Sequence, residues 1–288
     1  MKASQTTCLL SVFLFIAFLI MPCQLHASGN QGVIIAPTRV VFEGRDRSQI
    51  VRLVNPDSKP RSFRISLVYI RMDDHGTRTI IDSPDNTEIL AGNMIRFAPR
   101  QVTIPPKGWQ TVRLMVRKPA DLADGEYRVH LKVASIPDHD KSTSSESDKT
   151  PPEPGKVGIQ INILMDVTIP LIIRHGKGDV GVAPKKALYK PDTKTGSQSI
   201  EVELERTGSH SLFADVVLFA DSDDGSSSVQ LGENKGVAIY MPNSIQHVNV
   251  PLGSKLPGTL QGKTIRVEIR NREGDANTLM SSKKLKVE

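Results

Sequence analysis

An alternation of apolar and polar positions between Val157 and Leu171, with Leu164 as its main exception, is the longest such pattern in the chain. Every odd-numbered position holds an aliphatic residue or a methionine: Val157, Ile159, Ile161, Ile163, Met165, Val167, Ile169 and Leu171. Because successive side chains of a β-strand point to opposite faces, the pattern predicts one half-buried strand. At about 3.3 Å per residue this strand is roughly 50 Å long, far beyond the usual five or six residues. Its apolar face either packs against the rest of the chain or is kept for a partner protein, and the pattern leaves both open.

Shorter alternating runs predict that the rest of the chain is also built from β-strands. Before the long strand, strands are expected at 33–42, 49–54, 63–69, 102–104, 112–116 and 127–133, with a switch or bulge at Ala36-Pro37 in the first. After a hinge at 175–178, strands are expected at 200–204, 215–220, 236–240, 246–250, 265–269 and near Leu285. A single helical turn is expected within 120–125. This spacing predicts an all-β fold of two tandem β-sandwiches, with the long strand closing the first.

Two segments fall outside this pattern. Residues 1–27 predict a cleaved secretory signal peptide, because Lys2 precedes an apolar run and the small-residue exit at Ala27. Both cysteines, Cys8 and Cys23, lie in this segment, so the exported chain is expected to lack disulfides and cysteine metal sites. The stretch 138–156 is rich in serine, proline and charge, and it predicts a long mobile loop that leads into the long strand.

The charged and polar residues give no support for an enzyme or a nucleic-acid-binding protein. The net charge is +6 at pH 7 with both signs interspersed, and the single tryptophan provides no base-stacking surface. The seven histidines are scattered without metal-ligand spacing, and the acidic run at 221–225 lacks the later ligands of a calcium loop. The GSHS sequence at 208–211 does not match a nucleophile elbow. We therefore expect a binding protein that needs no metal and no cofactor.

Six segments, in order along the chain, match those of one known family. They are TRVVFEG at 38–44, FAPRQVTIPPKGWQTVRLMV at 97–116, DLADGEYRVHLKV at 121–133, the long strand at 157–171, RTGSHSLFADVVLF at 206–219 and GVAIYMPNS at 236–244. In this order they resemble the PapD-like periplasmic chaperones of the chaperone–usher pathway of pilus assembly. The resemblance covers essentially the whole mature chain. The absence of cysteines after residue 27 and the IPLIIRHG ending of the long strand resemble the divergent archaic or alternative branch.

The resemblance implies a fold and a function. The fold is two tandem immunoglobulin-like β-sandwich domains in a boomerang arrangement, here 31–174 and 178–288. The family binds pilin subunits in the periplasm of Gram-negative bacteria by donor-strand complementation and delivers them to an outer-membrane usher. The inserted side chains would be Val157, Ile159, Ile161, Ile163 and Met165, whereas Val167, Ile169 and Leu171 would belong to the chain's own core.

The resemblance also implies a basic cleft that holds the carboxylate at the subunit's C-terminus. Arg39 matches the arginine of the family's basic pair, but Pro170 stands where the family has its lysine. Arg100 and Lys177 are the candidate substitutes. Arg174 matches an arginine that pairs with an acidic residue of the second domain, and Glu273 is its expected partner.

Two other functions stay open on the sequence alone. A secreted tandem β-sandwich adhesin or surface binding module would use its loops and cover the long strand within the chain. An exported hydrolase would require a polar pocket with histidines and carboxylates, for which the sequence gives no motif. Whether free chains cap their own exposed strands as homodimers is also open.

Overall fold

The computed structural model describes residues 32–137, 164–191, 196–222, 227–253, 259–274 and 277–288. The predicted signal peptide, the predicted loop at 138–156 and the donor-strand positions at 157–163 lie outside these residues. Within the described residues, the strands form two β-sandwiches with separate hydrophobic cores, which confirms the predicted all-β fold. None of the described helices is long and apolar enough to cross a membrane.

The first half of the chain contributes eleven strands and one helix. In chain order they are β1 (Ile34–Ala36), β2 (Val40–Phe42), β3 (Ser48–Val54), β4 (Arg61–Val68), β5 (Ile70–Met72), β6 (Arg78–Ile80), α1 (Asn86–Met94), β7 (Ile95–Ala98), β8 (Gln101–Ile104), β9 (Trp109–Val116), β10 (Gly125–Ser135) and β11 (Asp166–His175). One sheet has the strand order β1-β3-β9-β7 and the other β2-β11-β10-β4-β8, while β5 and β6 form a separate hairpin. Inward-facing side chains of both sheets fill the core between them, and each fully buried aliphatic or aromatic side chain contributes about 1.5–3 kcal/mol.

The second half contributes seven strands. They are β12 (Val180–Pro191), β13 (Gln198–Gly208), β14 (Leu212–Asp221), β15 (Ser228–Ile239), β16 (Ile245–Pro251), β17 (Thr264–Asn271) and β18 (Leu279–Lys286). Their sheets have the orders β12-β13-β16 and β15-β14-β17-β18. β12 was not predicted from the sequence, because a bulge between Pro184 and Lys186 interrupts its alternation.

The predicted switch at Ala36-Pro37 is confirmed. Before it, β1 pairs with β3 in one sheet; after it, β2 pairs in parallel with β11 in the other. Proline has no N–H to donate to a strand ladder, so a chain that changes sheets loses no hydrogen bond at this position. The first strand thereby joins both sheets and leaves Arg39 at the crossing point.

The one described helix of this half, α1, was not predicted, and the helical turn expected within 120–125 was wrong. Asp85 caps the helix by accepting a hydrogen bond from the Glu88 backbone N–H, and the Glu88 side chain accepts one from the Asp85 backbone. This capping box starts the helix despite its weakly periodic sequence. In the 120–125 region the chain instead turns, held by the Tyr127 hydroxyl, which donates to the Ala123 carbonyl at 2.8 Å.

The long strand continues further than predicted at its C-terminal end. β11 ends at His175 rather than Leu171, and it pairs with β10 along its whole length. On its other side, β2 pairs only with Leu171–Ile173. Ile169 and Leu171 are buried in the first core and Val167 packs against it, as expected. The edge of β11 from Asp166 to Pro170 therefore has no strand partner among the described residues.

The β5–β6 hairpin docks the first sandwich onto the second. The Asn243 side-chain amide donates to the Met72 carbonyl at 2.6 Å, and the Gln246 amide donates to the Asp74 carbonyl at 2.9 Å. A small apolar cluster lies beside these bonds: Met72, Ile172, Ala238 and Tyr240. Side chains from both halves thus define the walls of the cleft between the sandwiches.

Candidate functional site

A cleft of about 440 Å³ lies between the two sandwiches, next to the unpaired edge of β11. From the first sandwich it is lined by Ile35, Thr38, Arg39, Arg78, Val167, Thr168, Ile169 and Pro170. From the second it is lined by Phe213, Lys235, Gly236, Ala238, Tyr240 and Arg272. Four basic side chains and no carboxylate belong to this lining, so the cleft is suited to an anionic group.

Arg39 is held in the cleft by both sandwiches. Its guanidinium carbon lies 4.9 Å from the ring centre of Phe213 and 5.4 Å from that of Tyr240. Its Nε donates to Glu273 Oε1 at 2.6 Å, and only 7% of the side chain is exposed. Both terminal nitrogens, Nη1 and Nη2, are buried and have no hydrogen-bond partner among the described residues. Buried guanidinium donors without acceptors are costly, and a carboxylate in the cleft would satisfy them.

A second arginine fixes the same carboxylate of Glu273. Arg174 Nη2 lies 2.8 Å from Glu273 Oε2, so the expected Arg174–Glu273 ion pair is present. Arg174 Nε also lies 3.1 Å from Oε2 of Glu126, whose side chain is almost fully buried. Burial lowers the pKa of Arg174, but the hydrogen bonds and charges of Glu273 and Glu126 outweigh it and raise the pKa above its ordinary value. Arg174 is therefore a permanent cation within an ion-pair network between the sandwiches.

Glu126 extends this network into the second sandwich. It accepts a hydrogen bond from the Ser211 backbone N–H at 3.0 Å and a short one from the Ser211 hydroxyl. The ion pairs and hydrogen bonds between the sandwiches hold the orientation in which Arg39 faces Phe213 and Tyr240.

The remaining basic residues of the cleft differ in how strongly they are already engaged. Arg272 Nη1 lies 3.0 Å from Asp215, and Lys235 lies 2.9 Å from Glu233. Arg78 forms no ion pair and no side-chain hydrogen bond with the residues in the described ranges. Arg78 and the terminal nitrogens of Arg39 are therefore the unengaged positive groups of the lining.

Arg78 also lines the cleft together with Pro170, the position where the resemblance leads one to expect a lysine. His130 pairs with Pro170 across the β10–β11 ladder and is buried. Burial lowers the pKa of His130 to about 3, and the charges of Arg128 and Arg78 act in the same direction. Arg78 from the β5–β6 hairpin and Pro170 from β11 thus line the same cleft, and the Arg78 charge is felt at the strand partner of Pro170.

The two predicted substitutes for the family's lysine do not line the cleft. Arg100 is exposed on the turn before β8, where its guanidinium stacks on Phe97 at 5.1 Å. Lys177 is exposed in the linker between β11 and β12. Arg78 on β6 lines the cleft together with Arg39, whereas Arg100 and Lys177 do not belong to that lining.

Of the predicted donor-strand residues, only Met165 belongs to the described part of the chain. It precedes β11, is 42% exposed and takes no part in the first core. Val157, Ile159, Ile161 and Ile163 lie outside the described residues, so their role stays a prediction. The described residues also contain no group of three histidine, cysteine or carboxylate side chains placed to hold a metal ion.

Five residues of the site were not predicted from the sequence: Arg78, Glu126, Ser211, Phe213 and Tyr240. Of these residues, Tyr240 alone lies within a strand that the alternation predicted, and there it was given only a structural role. Glu126, Ser211, Phe213 and Tyr240 do belong to segments that resemble the family, and a signal was therefore available for them. Arg78 gave no signal, because its place depends on how the hairpin packs against the second sandwich.

Comparison with known proteins identifies the first half of the chain. Residues 32–175, half of its length, match the family model described as "Pili and flagellar-assembly chaperone, PapD N-terminal domain". No curated protein sequence matches significantly.

Three similar solved structures share low identity with the chain. The CupB2 chaperone of Pseudomonas aeruginosa is 15% identical, with 88% of this chain and 100% of that chain covered and a TM-score of 0.44. The CsuC-CsuE chaperone–tip subunit pre-assembly complex from archaic Csu pili of Acinetobacter baumannii is 12% identical. The match covers 89% of this chain and 99% of that chain, with a TM-score of 0.45. The SafA pilin–SafB chaperone complex of Salmonella enterica is 12% identical. The match covers 90% of this chain and 97% of that chain, with a TM-score of 0.44.

Proposed function

The chain belongs to the family of the pili and flagellar-assembly chaperones, and on this premise we propose that it is a periplasmic chaperone for pilus subunits. It binds each subunit by donor-strand complementation and delivers it to an outer-membrane usher. The adhesin and hydrolase alternatives have no matching observation in the described residues.

The single observation that carries the proposal is the pair of buried Arg39 nitrogens without an acceptor among the described residues, beside an unpaired strand edge. A subunit that lacks its last strand requires a strand from outside, and the Asp166–Pro170 edge offers backbone groups for such pairing. Its C-terminal carboxylate would then reach Arg39 in the cleft. Main-chain hydrogen bonds provide the affinity of this kind of strand addition, and alternating side chains provide the specificity.

In this proposal the donor side chains are Val157, Ile159, Ile161, Ile163 and Met165, which alternate with polar residues on one strand. The exposure of Met165 supports this role, because the chain's own core does not use it. Each aliphatic side chain buried in the subunit would contribute about 1.5–3 kcal/mol.

Arg78 takes the place of the family's lysine in this proposal. It lines the cleft with Arg39, it is free of carboxylate partners in the described ranges, and its charge is felt at the strand partner of Pro170. Arg100 and Lys177 are therefore replaced by Arg78 as the second cation for the subunit's carboxylate.

Co-purification with a pilus subunit tests the carboxylate site. Arg39→Ala should reduce the recovered subunit at least about tenfold, because truncating one partner of a buried charge pair costs about 2–5 kcal/mol. A subunit that is extended by two residues at its C-terminus has its terminal carboxylate moved away from Arg39. With this extended subunit, Arg39→Ala should cause little further loss of recovered subunit. Equal losses for both subunits would remove the carboxylate from the Arg39 site, and no loss for either would remove Arg39 from subunit binding.

A further inference from the structure

The outer face of the β1-β3-β9-β7 sheet has a composition that differs from an ordinary solvated surface. Its exposed side chains include three arginines and four large apolar residues: Ile34, Ile50, Arg52, Arg96, Trp109, Arg113 and Met115. We call these seven residues the basic apolar face. Its four strands contain no aspartate and no glutamate. The face lies on the opposite sheet of the sandwich from β11, so it is separate from the proposed subunit site.

The strand register mixes the two kinds of side chain across this face. Ile50 stands opposite Arg113, and Met115 stands opposite Arg96. The Arg52 guanidinium lies over the Trp109 ring, 4.8 Å from its centre. Ile50 and Met115 therefore each have an arginine directly across the strand, and Trp109 has one over its ring.

The three arginines of this face make no ion pair with any residue in the described ranges. Arg96 bonds to backbone carbonyls of Asn93 and Ile95, and Arg52 stacks on Trp109. Positive charge that has no ion-pair partner in the described ranges, on strands without carboxylates, is complementary to an anionic surface.

The second sandwich shows what an ordinary exposed face of this protein looks like. On β12 and β13, lysines face glutamates across the strands: Lys185–Glu205 at 2.5 Å, Lys186–Glu203 at 3.3 Å and Lys190–Glu201 at 3.7 Å. Its charges cancel, as expected for a face in contact with solvent alone. The basic apolar face lacks such pairs within the described ranges, although it belongs to the same chain.

We propose that the basic apolar face binds the surface of a membrane rich in anionic phospholipids. Arginine holds phosphate groups through two parallel hydrogen bonds, and tryptophan prefers the headgroup level of a bilayer. Isoleucine and methionine side chains on the same face would enter the boundary between headgroups and acyl chains. The carboxylates of an acidic protein would pair with the arginines. Such a protein would not offer Ile50 and Trp109 apolar groups at the same spacing.

Vesicle binding by the chain purified from the periplasmic fraction tests this proposal. Trp109 is the only tryptophan of the chain, so its fluorescence reports on this face alone. Vesicles of phosphatidylglycerol and phosphatidylcholine should sediment the protein and shift the Trp109 emission to shorter wavelength. Pure phosphatidylcholine vesicles should do neither, and high salt should reverse both effects.

Two variants with the same change in charge make the test specific. Arg52→Glu with Arg113→Glu should lower the partition onto anionic vesicles at least about 25-fold, since each arginine near such a surface contributes a factor of about five. Lys186→Glu with Lys190→Glu, on the second sandwich, should bind like the unmodified chain. Both pairs are exposed, and circular dichroism checks that each variant is folded.

Three results would overturn the proposal. Equal loss of binding in both variants would mean attraction by net charge rather than by this face. Sedimentation without a Trp109 shift would place the contact elsewhere. A Trp109 shift with polyglutamate but not with anionic vesicles would assign the face to an acidic protein. The proposal does not depend on subunit binding, so it can fail or hold independently of it.

Discussion

Arg174 of the first sandwich and Glu273 of the second form an ion pair, with 2.8 Å between Nη2 and Oε2. The other oxygen of Glu273 lies 2.6 Å from Arg39 Nε. One carboxylate therefore neutralises two nearly buried arginines and, at the same time, joins the two sandwiches at the cleft. Glu273 therefore has a structural role. It holds the Nε of Arg39 in place, while Nη1 and Nη2 of Arg39 have no hydrogen-bond partner among the described residues.

Glu273→Gln should destabilise the protein by about 2–3 kcal/mol, since it leaves two buried guanidinium groups without their shared anion. Glu205→Gln breaks an exposed pair with Lys185 and should cost less than about 0.5 kcal/mol. Urea unfolding of both variants measures the difference. A similar small effect of both changes would show that Glu273 does not hold the cleft together.

Arg78→Ala should weaken subunit capture by about five- to tenfold without a large loss of stability, because Arg78 is exposed and has no ion pair within the described ranges. Arg100→Ala removes the same charge from a site outside the cleft and should leave capture unchanged. Co-purification of subunit with each variant gives the comparison. If Arg100→Ala lowers capture and Arg78→Ala does not, the sequence-based assignment of the second cation was right after all.

The unfolding free energy should fall as the pH is lowered from about 6.5 towards 3 because of His130. Its pKa is about 3 in the folded chain, whereas a histidine exposed to water in the unfolded chain has its ordinary pKa of 6.5. Only the unfolded chain therefore binds the proton in this range. Stability rises with pH across this window, with a slope of at most about 1.4 kcal/mol per pH unit from this group.

His130→Phe should flatten that part of the stability profile, because phenylalanine has no proton to bind in either state. Unfolding of both proteins in urea at several pH values between 3 and 7 measures the two slopes. An unchanged slope in the variant would mean that other groups account for the acid sensitivity.

Gly178 in the linker leaves no room for a side chain unless the His210 ring moves. A Cβ at this position would overlap the outer atoms of that ring. Gly178→Ala is therefore expected to cost about 1–3 kcal/mol through overpacking. Adding His210→Ala should recover most of the loss, and thermal unfolding of the single and double variants measures the coupling.

The strands of the core were largely predictable from the sequence, whereas the cleft was not. Alternation identifies β3, β4, β9, β10 and β17, because one face of each strand is buried and the other is not. It fails for β12, where a bulge breaks the period, and for α1, whose signal is a capping box rather than an apolar stripe.

The cleft depends on contacts between residues far apart in the chain. Arg39 and Glu273 were identified separately, the first from a motif and the second from a turn. Their bond could not be derived from periodicity, because 234 positions separate them. Arg78 reaches the cleft only because the β5–β6 hairpin docks on β16, and neither the hairpin's length nor its composition specifies that docking.

Capture of a pilus subunit by donor-strand variants tests the central claim most directly. Ile161→Asp with Ile163→Asp places two charges on the apolar face of the predicted donor strand, and Gln160→Asp with Asn162→Asp places the same charges on its polar face. The first pair should abolish co-purification of the subunit, because each lost aliphatic contact is worth about 1.5–3 kcal/mol, and the second pair should retain it. Both should unfold like the unmodified chain. Undiminished capture by the Ile161→Asp and Ile163→Asp variant would contradict the account.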